Sequence, residues 1–252
     1  IGASNAEAET DYRGSHGNDR NIQDRLLSKV EVPGDIATGS PVRFNPGGLA
    51  GIYATQNTRR DLFKAMRRRE TFGTSGPRIA PRFFAGWNMD ADLCTNKNVV
   101  ELGYRQGVPM GSDLPVAPAD ARGGPVFVAS ASRDPAEDSN PLQRIQIIKG
   151  WVDQLGNTHQ AVFDIAGAEP GAAQVDRNTC EVSGRGFSEL CGVWQDPEFD
   201  PELPAVYYTR VLENPTCRWS HVACLSLPEA ERPASCSDPE LPWQIQERAW
   251  TS

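Results

Sequence analysis

Histidine is scarce in this chain, three in 252 residues, and its six cysteines include no CxxC pair. A zinc site built on spaced Cys and His ligands is therefore poorly supported. No GxGxxG, Walker loop, GxSxG or HExxH occurs. Dinucleotide binding, P-loop chemistry, the α/β-hydrolase elbow and zincin proteolysis consequently have no support. Long apolar runs are missing too: no window approaches the roughly 18 to 20 residues of a spanning helix, so no transmembrane segment is expected. Positive charge is in deficit. With 25 Lys and Arg against 33 Asp and Glu, the formal net charge of -8 argues against a general nucleic-acid binder, whose phosphate affinity needs clustered cations. No internal repeat or low-complexity tract is found.

What is present has the balance of a soluble globular protein, 38% hydrophobic and 23% charged, at a length that allows one large domain or two ordinary ones. Ile1 is not a start methionine, so the chain is expected to begin inside a longer polypeptide or to be processed. Cys94, Cys180, Cys191, Cys217, Cys224 and Cys236 are even in number and concentrated in the last third. Disulfides, and with them a periplasmic or extracellular compartment, are favoured over free buried thiols. The local pairings that suggest themselves are Cys180 with Cys191 and Cys224 with Cys236.

The clearest element is a helix near residues 58–69. Thr58 can cap it with Asp61 at N3, Leu62, Phe63, Ala65 and Met66 share a face, and Arg67, Arg68 and Arg69 suit the negative end of the dipole. Residues 1–48 are polar and irregular, with only Asn21 to Val30 briefly helical in pattern. After Pro77 the texture changes to short β-rich runs separated by turns. They include Arg78 to Trp87, Val126 to Ala131, a hairpin of Leu142 to Val152 with Thr158 to Ala166, and Ala205 to Leu212. Thr179 to Val182 and Cys191 to Trp194 are expected to pair across a turn at Gly184 and Gly186. One more helix is placed within Asp92 to Gly107. Such spacing indicates a mainly antiparallel, sandwich-like region over 79–252, hence an α+β chain with a boundary near Pro77 to Ile79.

Three groups invite chemistry, each with a plainer alternative. Asp11, His16 and Asp19 are near enough in sequence to act as metal ligands or to lie in a solvated loop. Thr74, Ser75 and Arg78, in a glycine-punctuated loop, can cradle an anion or satisfy neighbouring backbone groups. Asp196, Glu198, Asp200 and Glu202 have the oxygens for calcium but lack EF-hand spacing, and the prolines after Asp196 and Asp200 favour a turn-rich connector. His159 and His221 read as structural or exposed.

The runs GLAGIYATQNTRRDLFKAMRRRETFGTSGPRIAPRFFAGW (48–87), GVPMGSDLP (107–115), LQRIQIIKGW (142–151), VWQDPEFDPELPAVYYTRVLENPTCRW (193–219) and QERAWTS (246–252) resemble, in order, the bacterial domain-of-unknown-function 3604 family. The resemblance implies a distant relationship to the polymerase-and-histidinol-phosphatase (PHP) superfamily. Its members hold a divalent metal cluster (zinc, manganese or iron) in a distorted β/α barrel and hydrolyse phosphoesters or related substrates. On that implication residues 1–78 are the C-terminal segment of a PHP-like barrel and 79–252 a disulfide-stapled β-rich domain, together the tail of an exported hydrolase acting on a small-molecule or ester substrate. In the family, a stretch resembling Ile1 to Ser4 is followed by Asp-Thr-His; here Asn5, Ala6 and Glu7 follow. The metal set is therefore expected to be incomplete in this chain, with Asp11 and His16 as its remaining candidates. The alternative is a non-catalytic β-sandwich serving as a binding or structural module.

Overall fold

The computed structural model describes residues 47–252. Two antiparallel sheets face one another. The larger runs in the order β1 (Leu49–Ile52), β2 (Thr71–Thr74), β14 (Arg248–Thr251), β11 (Ala205–Glu213), β6 (Leu142–Val152) and β7 (Thr158–Gly167). The smaller runs β10 (Glu189–Gln195), β5 (Val126–Ser132), β3 (Ala80–Gly86) and β4 (Val108–Pro109). Strand alternation turns Ile145, Ile147, Val211 and Ala249 of the first sheet toward Phe83, Phe127 and Ala129 of the second, none more than 4% exposed. Where β10 meets β7 the backbones come close: a Cβ on Gly192 would stand 2.6 Å from the Ile165 carbonyl.

The outer face of the smaller sheet is also apolar. Phe84, Val126 and Val128 are covered by α2 (Val99–Gln106) and the short turn of 3-10 helix Leu93–Thr95. Gly103 is needed in α2, because a Cβ there would lie 2.5 Å from the Phe84 ring. Disulfide Cys94–Cys191 ties this cover to β10. A small lobe carries the hairpin of β8 (Ala173–Val175) with β9 (Val182–Gly184), the pair β12 (Thr216–Cys217) with β13 (Gln244–Ile245), and α3 (Trp219–Ser226). Cys180–Cys217 and Cys224–Cys236 staple it.

Helix α1 (Arg59–Arg67) starts as its sequence predicts: the Asp61 amide donates to Thr58 Oγ1 at 3.2 Å. Its end is a Schellman arrangement. Glu70 N donates to Ala65 O and Arg69 N to Met66 O, with Arg69 in the left-handed region at φ 60°. The apolar face is only half used. Ala65 is fully buried, whereas Phe63 is 58% and Met66 48% exposed.

The α+β, mainly antiparallel character agrees with the sequence reading, but several details differ. Cys224 does pair with Cys236, while Cys180 and Cys191 take Cys217 and Cys94 as partners. The reason is topological: β9 folds onto β8 and β10 joins β5, so the expected Cys180–Cys191 hairpin does not form. Helix α3 occupies a stretch in which the sequence reading placed no helix. Strand β2 pairs with β14 at the far end of the chain.

The Cys94–Cys191 bridge closes the longest of the three loops, with a sequence separation of 97. Replacing both residues with alanine is expected to cost on the order of 2–4 kcal/mol. The same change at Cys224 and Cys236, separation 12, should cost less. Urea midpoints of the two double variants check this ranking.

Candidate functional site

Lysine is an unexpected residue in the middle of the apolar strand β6. Lys149 lies directly across from Tyr207 on β11. Its side chain is 8% exposed and its Nζ stands 2.6 Å from Asp196 Oδ2, a carboxylate with no exposure at all. Tyr207 donates its hydroxyl to the same oxygen at 2.6 Å, and Lys149 Nζ also donates to Glu198 O at 2.9 Å. The remaining carboxylate oxygen of Asp196 accepts from Glu198 N at 2.9 Å. Burial, with the Asp196 carboxylate next, pushes the Tyr207 phenol well above its ordinary range. The ring is thus held protonated and fixed in orientation.

That ring is one wall of a groove of about 690 Å³, a size that suits a small-molecule ligand. Phe83, Met110 and Phe127 form its apolar base, with Phe127 4.4 Å from Tyr207 between ring centroids. Trp87 and Phe199 stand edge to face at 5.3 Å on another side. Residues 110–117 pass along it as a strap that two side chains help to fasten. Trp87 Nε1 donates to Pro115 O at 2.7 Å, and Arg69 Nε donates to Gly111 O at 2.6 Å. The second contact gives the left-handed backbone at Arg69 a purpose, since it aims a helix-terminal arginine at the strap. The polar groups of the rim are Arg69, Ser112, Asp113 and Ser252.

A second buried carboxylate supports the α1 end of the molecule. Glu70, 4% exposed, accepts from the Tyr104 hydroxyl and from Arg68 Nη2 at 3.1 Å. Burial and then the Glu70 hydrogen bond raise Tyr104 to about 12. The Arg82 guanidinium covers the Tyr53 ring at 3.2 Å.

The groups singled out from sequence fall as follows. Asp11 and His16 lie outside the described residues. Thr74 Oγ1 accepts from Gly76 N at 3.2 Å, Ser75 Oγ hydrogen-bonds Glu247 and accepts from Arg248 N at 2.8 Å, and Arg78 N donates to Asp134 Oδ2 at 2.7 Å. Two carboxylates therefore take donors of this loop, as in a self-satisfied connection. Within the acidic run Asp196 turns inward, while Asp200 closes a local turn with Glu202 N at 2.9 Å. His159 stacks on Trp151 and contacts Asp153 Oδ2 at 2.8 Å. That contact, with Asn157, holds the Asp153 carboxyl far below its usual range.

The divalent cluster implied by the PHP resemblance finds no fitting ligand set among the described residues. Cys180, Cys217 and His221 are the grouping with suitable proximity, and the two sulfurs are bonded to each other. Sequence reasoning missed the Lys149–Asp196–Tyr207 cluster. Its signal was Lys149 directly after the apolar pair Ile147 and Ile148 in LQRIQIIKGWV, a charge that a strand buried on both faces tolerates only with a partner.

Taken together, these features define an α+β protein built as a two-sheet antiparallel sandwich with an aromatic groove and three disulfides. Such bonds persist in an oxidising, extracellular or periplasmic environment. Among the described residues no helix is long and apolar enough to cross a membrane. The chain belongs to the family described as Protein of unknown function (DUF3604), whose model matches residues 2–252. No curated protein and no solved structure matches it significantly.

Removing one partner of the buried pair, by Lys149→Met or Asp196→Asn, should destabilise by about 3–5 kcal/mol, because the other group stays buried without its partner. Equilibrium urea unfolding reads this directly. Raised phenol values have the opposite pH signature to lowered carboxyl values. Folded Tyr104 and Tyr207 keep a proton that the unfolded chain releases near pH 10, so their stabilisation is complete below pH 10. It is lost as pH rises through about 12 for Tyr104 and beyond that for Tyr207. Urea midpoints should hold from pH 8 to about 10 and fall from there to about 11.5, and Tyr104→Phe with Tyr207→Phe should flatten the decline.

Proposed function

We propose that this chain supplies the ligand-binding β-sandwich of an exported metal-dependent hydrolase of phosphoester type, and that it is not catalytically complete by itself. The observation that carries the binding half is the aromatic groove. Trp87, Phe199 and Tyr207 enclose apolar volume, and a buried ion pair fixes one of the three from behind. Rings held in place before binding lose little entropy on contact, which favours affinity. The hydrolase half is supported by the PHP resemblance; in this reading the reacting metal is held by residues outside 47–252. The groove then receives an apolar part of an ester substrate, or of its product.

Trp87 is a built-in reporter. Titration with phenyl phosphate and with phenyl acetate should give a saturable change in tryptophan fluorescence, and Trp87→Ala should weaken binding, measured by calorimetry, at least tenfold. The same chain loaded with Mn²⁺ or Zn²⁺ should leave both esters intact. Saturable binding of neither compound overturns the groove assignment, and turnover by this chain alone overturns its catalytic incompleteness.

A further inference from the structure

A second hollow of about 680 Å³ has different chemistry. It lies where the start of β6 and the start of β14 meet the stapled lobe, and its walls are rich in amides and guanidinium groups. A bulge creates it. Arg144 pairs with Leu212 and Leu142 with Glu213, so Gln143 is an extra residue on β6. Bulges of this kind re-aim side chains and recur beside binding sites.

The inner wall is held by its own hydrogen bonds. Gln143 Oε1 accepts from Arg144 Nη1 and from Gln246 Nε2 at 2.9 Å, and Gln246 Nε2 also donates to Glu213 O at 3.0 Å. Arg248 Nε donates to Gln246 O at 3.0 Å. The outer wall comes from the lobe, where the amides of Gln174 and Gln244 are exposed. The Trp243 indole borders the cleft and also a neighbouring small hollow shared with Arg177 and His221. Disulfide Cys180–Cys217 ties the loop between β8 and β9 to β12, so the outer wall is stapled within itself.

Charge narrows the ligand. Arg144 and Arg248 line the cleft and Arg210 is near enough to act on Arg248, while Asp164 lies 3.5 Å from Arg144 Nε and Glu247 neighbours Arg248. The lining itself thus holds two guanidinium groups and no carboxylate, and an anion balances it. Amides match adjacent hydroxyls as paired donor and acceptor, guanidinium matches carboxylate, and an indole face suits the C–H side of a sugar ring.

We propose that this cleft binds an acidic oligosaccharide, a short glycan bearing uronic-acid carboxylates. The site is separate from the aromatic groove, and its assignment stands or falls independently. Isothermal titration of the chain with trigalacturonate and with a trimannuronate should show one site per chain for at least one of them, with maltotriose at least tenfold weaker. Gln174→Ala with Gln244→Ala, both exposed and thus safe for folding, should weaken the acidic ligand at least fivefold. Arg248→Gln should remove most of the preference over maltotriose. The proposal is overturned if neither uronate saturates, if maltotriose or citrate binds as tightly, or if the double glutamine variant binds unchanged.

Discussion

The insertion of β14 between β2 and β11 is the constraint on which the larger sheet depends. Thr74 pairs with Ala249, and Val211 pairs with Ala249 from the other side. Without these four residues the six-stranded sheet would divide into β1 with β2 and β11 with β6 and β7, each exposing an unpaired edge. Side chains reinforce the insertion. Glu247 hydrogen-bonds Ser75, Thr251 Oγ1 accepts from the Thr209 amide at 2.9 Å, and Ala249 is completely buried. A contact between residues so far apart in sequence carries a large loop-closure cost, which the buried core must offset before the sheet becomes stable.

Both hollows follow from this closure. The groove needs Arg69, at the end of α1, within reach of Gly111, and the short β2 that follows is positioned by β14. The cleft needs Arg248 next to the bulge in β6, which again requires β14 in register. One hollow is an aromatic surface stiffened by a buried ion pair; the other is a network of amides and guanidinium groups held by its own hydrogen bonds. The two differ in what excludes water and in what fixes the side chains, so they suit different ligand chemistries on a single framework.

Much of the fold was legible locally. The Thr58 cap, the hairpin of β6 with β7 and the aromatic, β-branched strand β11 were readable because capping and alternation are short-range effects. Pairing of Cys224 with Cys236 was accessible for the same reason. The partners of Cys94 and Cys217 were hidden, because they depend on which strand lies beside which. Asp196 read as part of an acidic connector, and nothing in its neighbours announced Lys149, a residue 47 positions earlier. The expectation of a fully apolar helix face also missed that only Leu62 and Ala65 turn toward the sheet, with Phe63 and Met66 left outside.

The sequence by itself determined most element types, the mainly antiparallel character, the oxidised state of the cysteines and the family. These follow from residue-level propensities, even cysteine number and ordered motifs. Tertiary structure alone decided which cysteines meet, which carboxylate neutralises the lysine in β6, and where aromatic rings and amides converge into hollows. Those outcomes rest on long-range register, and register is fixed only when β14 enters the sheet that β1 and β2 begin.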